Sequence, residues 1–469
     1  MLIRAALIVG TWYWTDEWVA GVAVAVLLLV WELLTPDEGP PVLALALTYQ
    51  WMQVTIGIFY TALTGVQMDA MLDSNWRPMV LIGLGCVTCF TVSLWYGIRV
   101  AQRQNWTIPA GAPRIAFSGN LLYAAYGSSL LLTGVIQEIA WQYPSFTQAI
   151  IAITYSHLAL VFLLARRFTN PEFQWRKLAI LMGIEVGLGF TGYFAGFREP
   201  LLMAAIAVFE IFDRRDVRFW AFGAVLLFVL SMSSLVWISV RGQLRQEMDD
   251  EIVTATRVER FDRARTLSTG VLSQNAGSYS GSVTVLIDRL WAIYYPALAL
   301  QRVPLVVPHT DGQIMRDALT HLISPRFLYP DKADLISDSE MVRKYAGLYV
   351  AGEQQNTSIA FGYAAEAYVD YGLPWMFIPI LIFGFLLGMC YKIWLSIISH
   401  RELAIALTTV MFWLILYIFE RSWVKTLGLT VTVFVYLGGL TYLLDQFLLM
   451  RRAQNAATAM ADRLLDATR

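Results

Sequence analysis

Phe219-Trp-Ala-Phe-Gly-Ala-Val-Leu-Leu-Phe-Val-Leu-Ser-Met-Ser-Ser-Leu-Val-Trp-Ile-Ser239 carries no charged side chain along its whole length. About 20 mainly apolar residues is what a helix needs to cross the hydrocarbon core of a bilayer. From Arg241 the character of the chain changes, and charged residues stay frequent as far as Asp370. Working outward from this junction, the chain reads as membrane helices with one long polar insertion.

Composition agrees. The 469 residues are 57% apolar and 15% charged, against about 45–50% and 25% in ordinary globular domains. A formal net charge of -1 gives no argument for nucleic acid as a partner. Apolar windows at 1–14, 18–34, 42–64, 77–98, 115–137, 145–165, 177–197, 199–212, 219–239, 373–397, 402–420 and 427–449 predict an all-α polytopic protein of about 11–12 transmembrane helices. The first window, with Arg4 and no small-residue cleavage site after it, reads as a short membrane segment rather than a signal peptide.

Basic residues orient these windows. Arg99, Arg103 and Arg114, then Arg166, Arg167, Arg176 and Lys177, then Arg214, Arg215 and Arg218 fall in alternate loops, which the positive-inside rule puts in the cytoplasm. Lys392, Arg401, Arg451 and Arg452 continue the alternation, while Arg421 and Lys425 depart from it. The expected organisation is an N-terminal bundle over 1–240, an outer, periplasmic loop over 241–372, membrane helices over 373–450 and a cytoplasmic tail over 451–469. Inside the outer loop, Gln243 to Leu267 has the spacing of an amphipathic surface helix. Trp291, Tyr294 and Tyr295 suit the headgroup level, a further helix is expected over Gly312 to Ile323, and Asn356 to Gly372 reads as a helix dipping back toward the bilayer.

Several patterns invite chemistry. Cys86 and Cys89 form a CxxC inside an apolar run, with no further ligand nearby, and read with Cys390 as small apolar filler. Gly187-Leu-Gly-Phe-Thr-Gly192 spells GxGxxG without a preceding strand, so small residues at 183, 187, 192 and 196 are expected to serve close helix packing instead. Arg198, at the turn Phe197-Arg-Glu-Pro200, needs a partner or a polar cavity, unless it snorkels from a helix end. Arg241 and Arg245 stand one turn apart where a span leaves the membrane, and guanidinium groups suit a phosphorylated lipid headgroup.

The stretch Pro325-Arg-Phe-Leu-Tyr-Pro-Asp-Lys332 places Arg326 beside Phe327 and Tyr329, which suits either a sugar-stacking site or a loop anchored by aromatics. Glu366 and Asp370 share one helix face, with Tyr363 one turn earlier. A carboxylate there accepts a proton from a sugar hydroxyl, or pairs with one of the arginines. His321, five residues before Arg326, is a candidate base or donor, and no spacing suggests a metal or any cofactor.

The 325–332 run, the Gly362-Tyr-Ala-Ala-Glu-Ala-Tyr-Val-Asp-Tyr-Gly372 segment and the Gly196-Phe-Arg-Glu-Pro200 turn, in that company of helices, resemble Wzy-type repeat-unit polymerases of bacterial O-antigen and exopolysaccharide synthesis. The resemblance implies a metal-independent glycosyltransferase of the GT-C type in the bacterial inner membrane, acting on undecaprenyl-pyrophosphate-linked oligosaccharides as donor and acceptor. It implies Arg198, Arg241, Arg245 and Arg326 for the pyrophosphate and Glu366 for the acceptor hydroxyl. It also brings membrane lipid, a chain-length regulator and a flippase as partners. An O-antigen ligase shares the same plan. A lipid-linked oligosaccharide transporter would line its path with similar charges, and a membrane scaffold for polysaccharide assembly needs no chemistry at all.

Overall fold

The computed structural model describes residues 2–36, 39–66, 76–104, 117–142, 147–169, 172–189, 198–211, 216–248, 277–324, 329, 335–352 and 358–467. Within these, 134–135, 137–142, 147–148, 237–248, 277–283, 456, 459 and 461–467 are described by their backbone alone. Among the described residues every regular element is helical. The first half of the chain runs through α1 (Leu2–Thr15), α2 (Trp18–Leu34), α3 (Val42–Thr64), α4 (Trp76–Arg103), α5 (Gly119–Gln142), α6 (Thr147–Thr154), α7 (Ser156–Thr169), α8 (Trp175–Gly189), α9 (Arg198–Phe209) and α10 (Val217–Met248). In the polar insertion lie α11 (Gly277–Leu290), α12 (Tyr294–Arg302), α13 (Gln313–Ile323), α14 (Asp338–Met341) and α15 (Tyr363–Tyr371). The chain closes with α16 (Phe377–Ile397), α17 (Arg401–Leu416), α18 (Trp423–Thr432) and α19 (Gly439–Ala467).

Six helical stretches among the described residues are long and apolar enough to cross a membrane: Val42–Thr64, Trp76–Arg103, Ala149–Thr169, Val217–Val236, Phe377–Ile397 and Trp423–Asn455. Leu131, Ile180, Trp220, Leu227, Phe228 and Ile382 face outward, an apolar coat suited to lipid. Two other expected crossings are short helices instead, α9 of 12 residues and α17 of 16, while α8 runs for 15 residues to the edge of the described stretch. At 1.5 Å per residue, a helix of that size falls short of the roughly 30 Å hydrocarbon core. Yet α17 is buried on all sides from Leu403 to Leu416, so protein rather than lipid surrounds it.

The tightest helix pair is α4 against α16. A Cβ on Gly97 would sit 2.2 Å from the Phe385 carbonyl oxygen, and one on Gly388 2.3 Å from that of Leu94. A Cβ on Gly384 would meet the Ser93 hydroxyl instead, so each helix offers small residues four apart and the backbones close in. The sequence pattern pointed to a different helix for this role. Gly183 and Gly187 of α8 have open space where a Cβ would stand, while positions 192 and 196 lie outside the described residues.

The described part of the insertion packs on the bundle. Trp291, expected at the headgroup level, is instead 3% exposed. Its ring lies where a side chain at Gly57 would be, its Nε1 donates to the Val54 carbonyl at 3.2 Å, and the Ala292 amide donates to the Gln53 carbonyl at 3.0 Å. Above α3, Ala299, Val303, Val342, Tyr345, Phe361 and Val369 form a second small core from α12, α15 and the turns after α14. The expected helix over 312–323 is present as α13, while of that expected over 356–372 only the second half is helical, as α15, with 358–362 irregular and 356–357 outside the described residues. Of the expected amphipathic helix over 243–267, residues 243–248 continue α10 and the rest lie outside the described residues.

Gly388→Val should lower the thermal unfolding midpoint of the purified protein steeply, through overpacking worth about 1–3 kcal/mol or more. Gly127→Ala, where a Cβ meets nothing within 4 Å, should leave it nearly unchanged.

Candidate functional site

The expected span over 402–420 ends early. The α-helix stops at Leu416, and α18 starts only at Trp423, with Tyr417 to Ser422 passing through the bundle between them. A helix end leaves carbonyls and amides without intrahelical partners, and in an apolar interior each must find one. Side chains of α3 and the linker itself supply them. Gln50 Nε2 donates to the Leu416 carbonyl, and Gln53 Nε2 donates to that of Tyr417 at 3.1 Å. Gln53 Oε1 in turn accepts the Phe419 amide at 2.8 Å. Arg421 Nη1 folds back onto the Leu414 carbonyl at 2.5 Å, and the Tyr363 amide donates to the Arg421 carbonyl at 2.8 Å.

This interruption gathers charge. Arg198, the first residue of α9, donates from Nη2 to the Tyr417 hydroxyl at 3.1 Å and to Glu199 Oε1 at 3.0 Å. The Tyr417 hydroxyl in turn donates a hydrogen bond to Glu199 Oε1 at 2.9 Å. The guanidinium carbons of Arg198 and Arg421 lie 5.3 and 5.6 Å from the centre of the Tyr417 ring, so both cations are within reach of one phenol. Tyr417 is held from behind by Trp413, stacked at 5.2 Å, and by Tyr49 at 5.7 Å. Glu420 and Tyr155 also lie within electrostatic reach of these charges. Two arginines and two glutamates thus balance in a bundle of apolar helices. The Arg198 side chain keeps 40% of its surface accessible and that of Glu199 20%, so the cluster borders open space rather than a sealed core.

Glu366 and Asp370 do share one face of α15, and each holds another helix by its first turn. Glu366 Oε2 accepts the Trp423 amide at 2.7 Å, at the start of α18. Asp370 accepts the Ile314 amide at 3.0 Å and the Met315 amide at 2.8 Å, at the start of α13, together with the Thr310 hydroxyl. Carboxylates favour these positions because the first amides of a helix point outward and carry partial positive charge. Burial pushes the Glu366 carboxyl up to about 8, partly offset by the Trp423 amide. Tyr363 is buried, with its hydroxyl donating to Gln50 Oε1 at 2.8 Å, which places it against the same interruption.

The remaining candidates do not join them. Tyr329 is exposed, and His321 lies in the last turn of α13, half-buried. Arg241 and Arg245 belong to the C-terminal part of α10, whose side chains lie outside the description, and Arg326 lies outside the described residues. Lys425, the other cation that departs from the basic pattern, pairs with Asp338 at 2.7 Å. Arg421, Glu420 and Tyr417 were not singled out from the sequence, although Arg421 breaks the alternation of basic loops. Among the described residues, no group of three or more His, Cys, Asp or Glu side chains stands together as a metal cage.

A family model described as a domain of unknown function, DUF8712, matches residues 177–393. That stretch begins at α8, includes Arg198 and the whole insertion, and ends within α16. No curated protein and no solved structure matches the chain.

Glu366→Gln keeps an oxygen for the Trp423 amide, whereas Glu366→Leu removes it and should cost about 1–3 kcal/mol. Because the fold holds the Glu366 proton more tightly than the ordinary value of 4.5, this group's contribution to stability is complete below that value and is lost as the pH rises through about 8. Thermal melts between these limits should show wild-type stability falling by about 1.4 kcal/mol per pH unit more than that of Glu366→Gln.

Proposed function

We propose that the protein is an integral-membrane glycosyltransferase that joins polyprenyl-pyrophosphate-linked oligosaccharide repeat units into O-antigen or exopolysaccharide. It would work at the outer face of a bacterial inner membrane, with about 11–12 crossings in all, the insertion over 241–372 periplasmic and the C-terminus cytoplasmic. The observation that carries this reading is the pair of guanidinium groups at the interruption after α17, one of them with an accessible side chain. Such a pair suits the parallel hydrogen bonds and the charge of a pyrophosphate.

In the proposed reaction the acceptor sugar's hydroxyl oxygen attacks the anomeric carbon of the donor sugar. The bond from that carbon to the pyrophosphate oxygen breaks, the lipid pyrophosphate leaves with the bonding pair, and the hydroxyl proton passes to a carboxylate. Arg198 and Arg421 would stabilise the charge that grows on the leaving group, and the resemblance adds Arg241, Arg245 and Arg326 to the pyrophosphate contacts. The resemblance gives the proton to Glu366. Full burial and the bond to the Trp423 amide make Glu366 a holder of α18, and Glu420, half-buried and within the field of Arg198, is better suited to the step. Tyr49 and Tyr155, both partly exposed, would offer aromatic faces to sugar rings.

The interruption itself favours a second reading, since transporters bind their cargo at broken helices. A flippase for the same lipid-linked glycan would use the same arginines and make no new glycosidic bond. Reconstitution with a lipid-pyrophosphate-linked repeat unit separates the two. A ladder of repeats from the wild type supports polymerisation, a single transfer to a lipid core supports ligation, and translocation without any transfer supports transport. Arg198→Lys keeps the charge but loses the planar fork, and should reduce transfer on the order of 100-fold. Glu366→Gln should retain most of it. Full ladders from Arg198→Ala, at normal protein levels, would defeat the site.

A further inference from the structure

Away from the arginine cluster, α5, α7 and α8 enclose a second set of polar side chains that the proposed reaction does not use. Glu185 of α8 is 4% exposed and Tyr126 of α5 is 7% exposed. The Tyr126 hydroxyl donates to Glu185 Oε1 at 2.5 Å. His157 of α7 places Nε2 at 3.1 Å from both Glu185 oxygens and Nδ1 at 2.9 Å from the Ser129 hydroxyl. Ser129 Oγ also lies 2.7 Å from the Tyr126 carbonyl oxygen, and the Tyr126 and His157 rings stack at 5.5 Å.

A count of hydrogens gives this arrangement two complete states. In the first, the Ser129 hydroxyl donates to an unprotonated Nδ1, Nε2–H donates to the Glu185 carboxylate, and the network carries one negative charge. In the second, one more proton sits on Nδ1 and is donated to Ser129, whose hydroxyl turns to the Tyr126 carbonyl. Imidazolium and carboxylate then cancel, and every hydrogen bond is kept. Isolated charge is costly among membrane helices, and ionisable groups there mark ion or proton paths, so a network that becomes neutral on taking up one proton is suited to hold it.

We infer that Tyr126, Glu185, His157 and Ser129 form a binding site for one proton inside the helix bundle. The charged groups around it are already engaged elsewhere. On α7, Arg166 is bound to Glu210 and Glu402, and Arg167 to the Phe117 carbonyl. Tyr123 of α5 stacks on Phe168, and Arg176 of α8 lies over Trp175. Arg198 and Glu199 of α9 are joined through Tyr417, and Lys177 of α8 is exposed. Tyr155, at the kink between α6 and α7, lies within the field of Arg421 and Glu199 and stands two residues from His157. The proton site is therefore close in the chain to the arginine cluster without sharing a residue with it.

The test is nitrogen NMR of the full chain in nanodiscs with labelled histidine, of which there are four, and His157→Gln identifies the signals of interest. As the pH is lowered through the range in which the protein stays folded, His157 should pass in one step from a singly protonated ring with hydrogen on Nε2 to a doubly protonated ring. The step should be lost from that range in Glu185→Gln, and Ser129→Ala should change the Nδ1 signal of the protonated form. A His157 ring that holds one protonation state throughout in the wild type would overturn the inference, whatever the folding of the variants. So would an unchanged step in folded Glu185→Gln. Neither result depends on glycosyl transfer, so the inference stands or falls apart from the proposed reaction.

Discussion

Backbone that leaves the helix inside an apolar bundle has no water to bond, and an unpaired amide or carbonyl there costs several kcal/mol. The turn between α17 and α18 meets that constraint with named side chains. Gln50 and Gln53, one turn apart on α3, cover the Leu416 and Tyr417 carbonyls and the Phe419 amide. Arg421 covers Leu414, and Glu366 covers Trp423. Two glutamines in a membrane helix, an arginine in the wrong loop and a carboxylate buried under a helix are thereby parts of one solution.

What the solution secures is an irregular piece of chain at which Arg198, Glu199, Tyr417, Glu420 and Arg421 meet. α9 and α17 run antiparallel, tied at one end by Arg198 with Tyr417 and at the other by Arg166 with Glu210 and Glu402. The glycine contacts of α4 with α16 and the seat of Trp291 on Gly57 fix the surrounding helices and the layer above them. α15 links the two levels. Tyr363 and Glu366 reach into the interruption, while Asp370 holds α13 of the insertion.

Much of the helical framework was legible in the sequence, because an uncharged run such as 219–239 has few other uses, and α13 lies where a helix was expected, with α15 covering the second half of another. The shared face of Glu366 and Asp370 was also correctly read. Their partners were not, since the helix starts they hold at Trp423 and Met315 lie more than fifty residues away along the chain. The interruption escaped for a similar reason. Tyr417 to Glu420 read as the end of the apolar run over 402–420, and only the distant Gln50 and Gln53 make a stop at Leu416 stable. Arg198 was singled out because an arginine there demands a partner, and it has two, Glu199 beside it and Tyr417 far along the chain. Glycine spacing alone is a weak guide: Gly183 and Gly187 of α8 meet no neighbour, because a pair of small residues tightens packing only where a second helix presses against it.

The central claim is that the interruption between α17 and α18 holds a pyrophosphate-bearing lipid between Arg198 and Arg421. Cryo-electron microscopy of the full chain in nanodiscs containing a polyprenyl pyrophosphate tests it most directly. The account predicts density for the pyrophosphate between the two guanidinium groups beside Tyr417, absent when the same lipid carries no phosphate. Pyrophosphate density elsewhere, with Arg198 and Arg421 unchanged in their contacts, would contradict it.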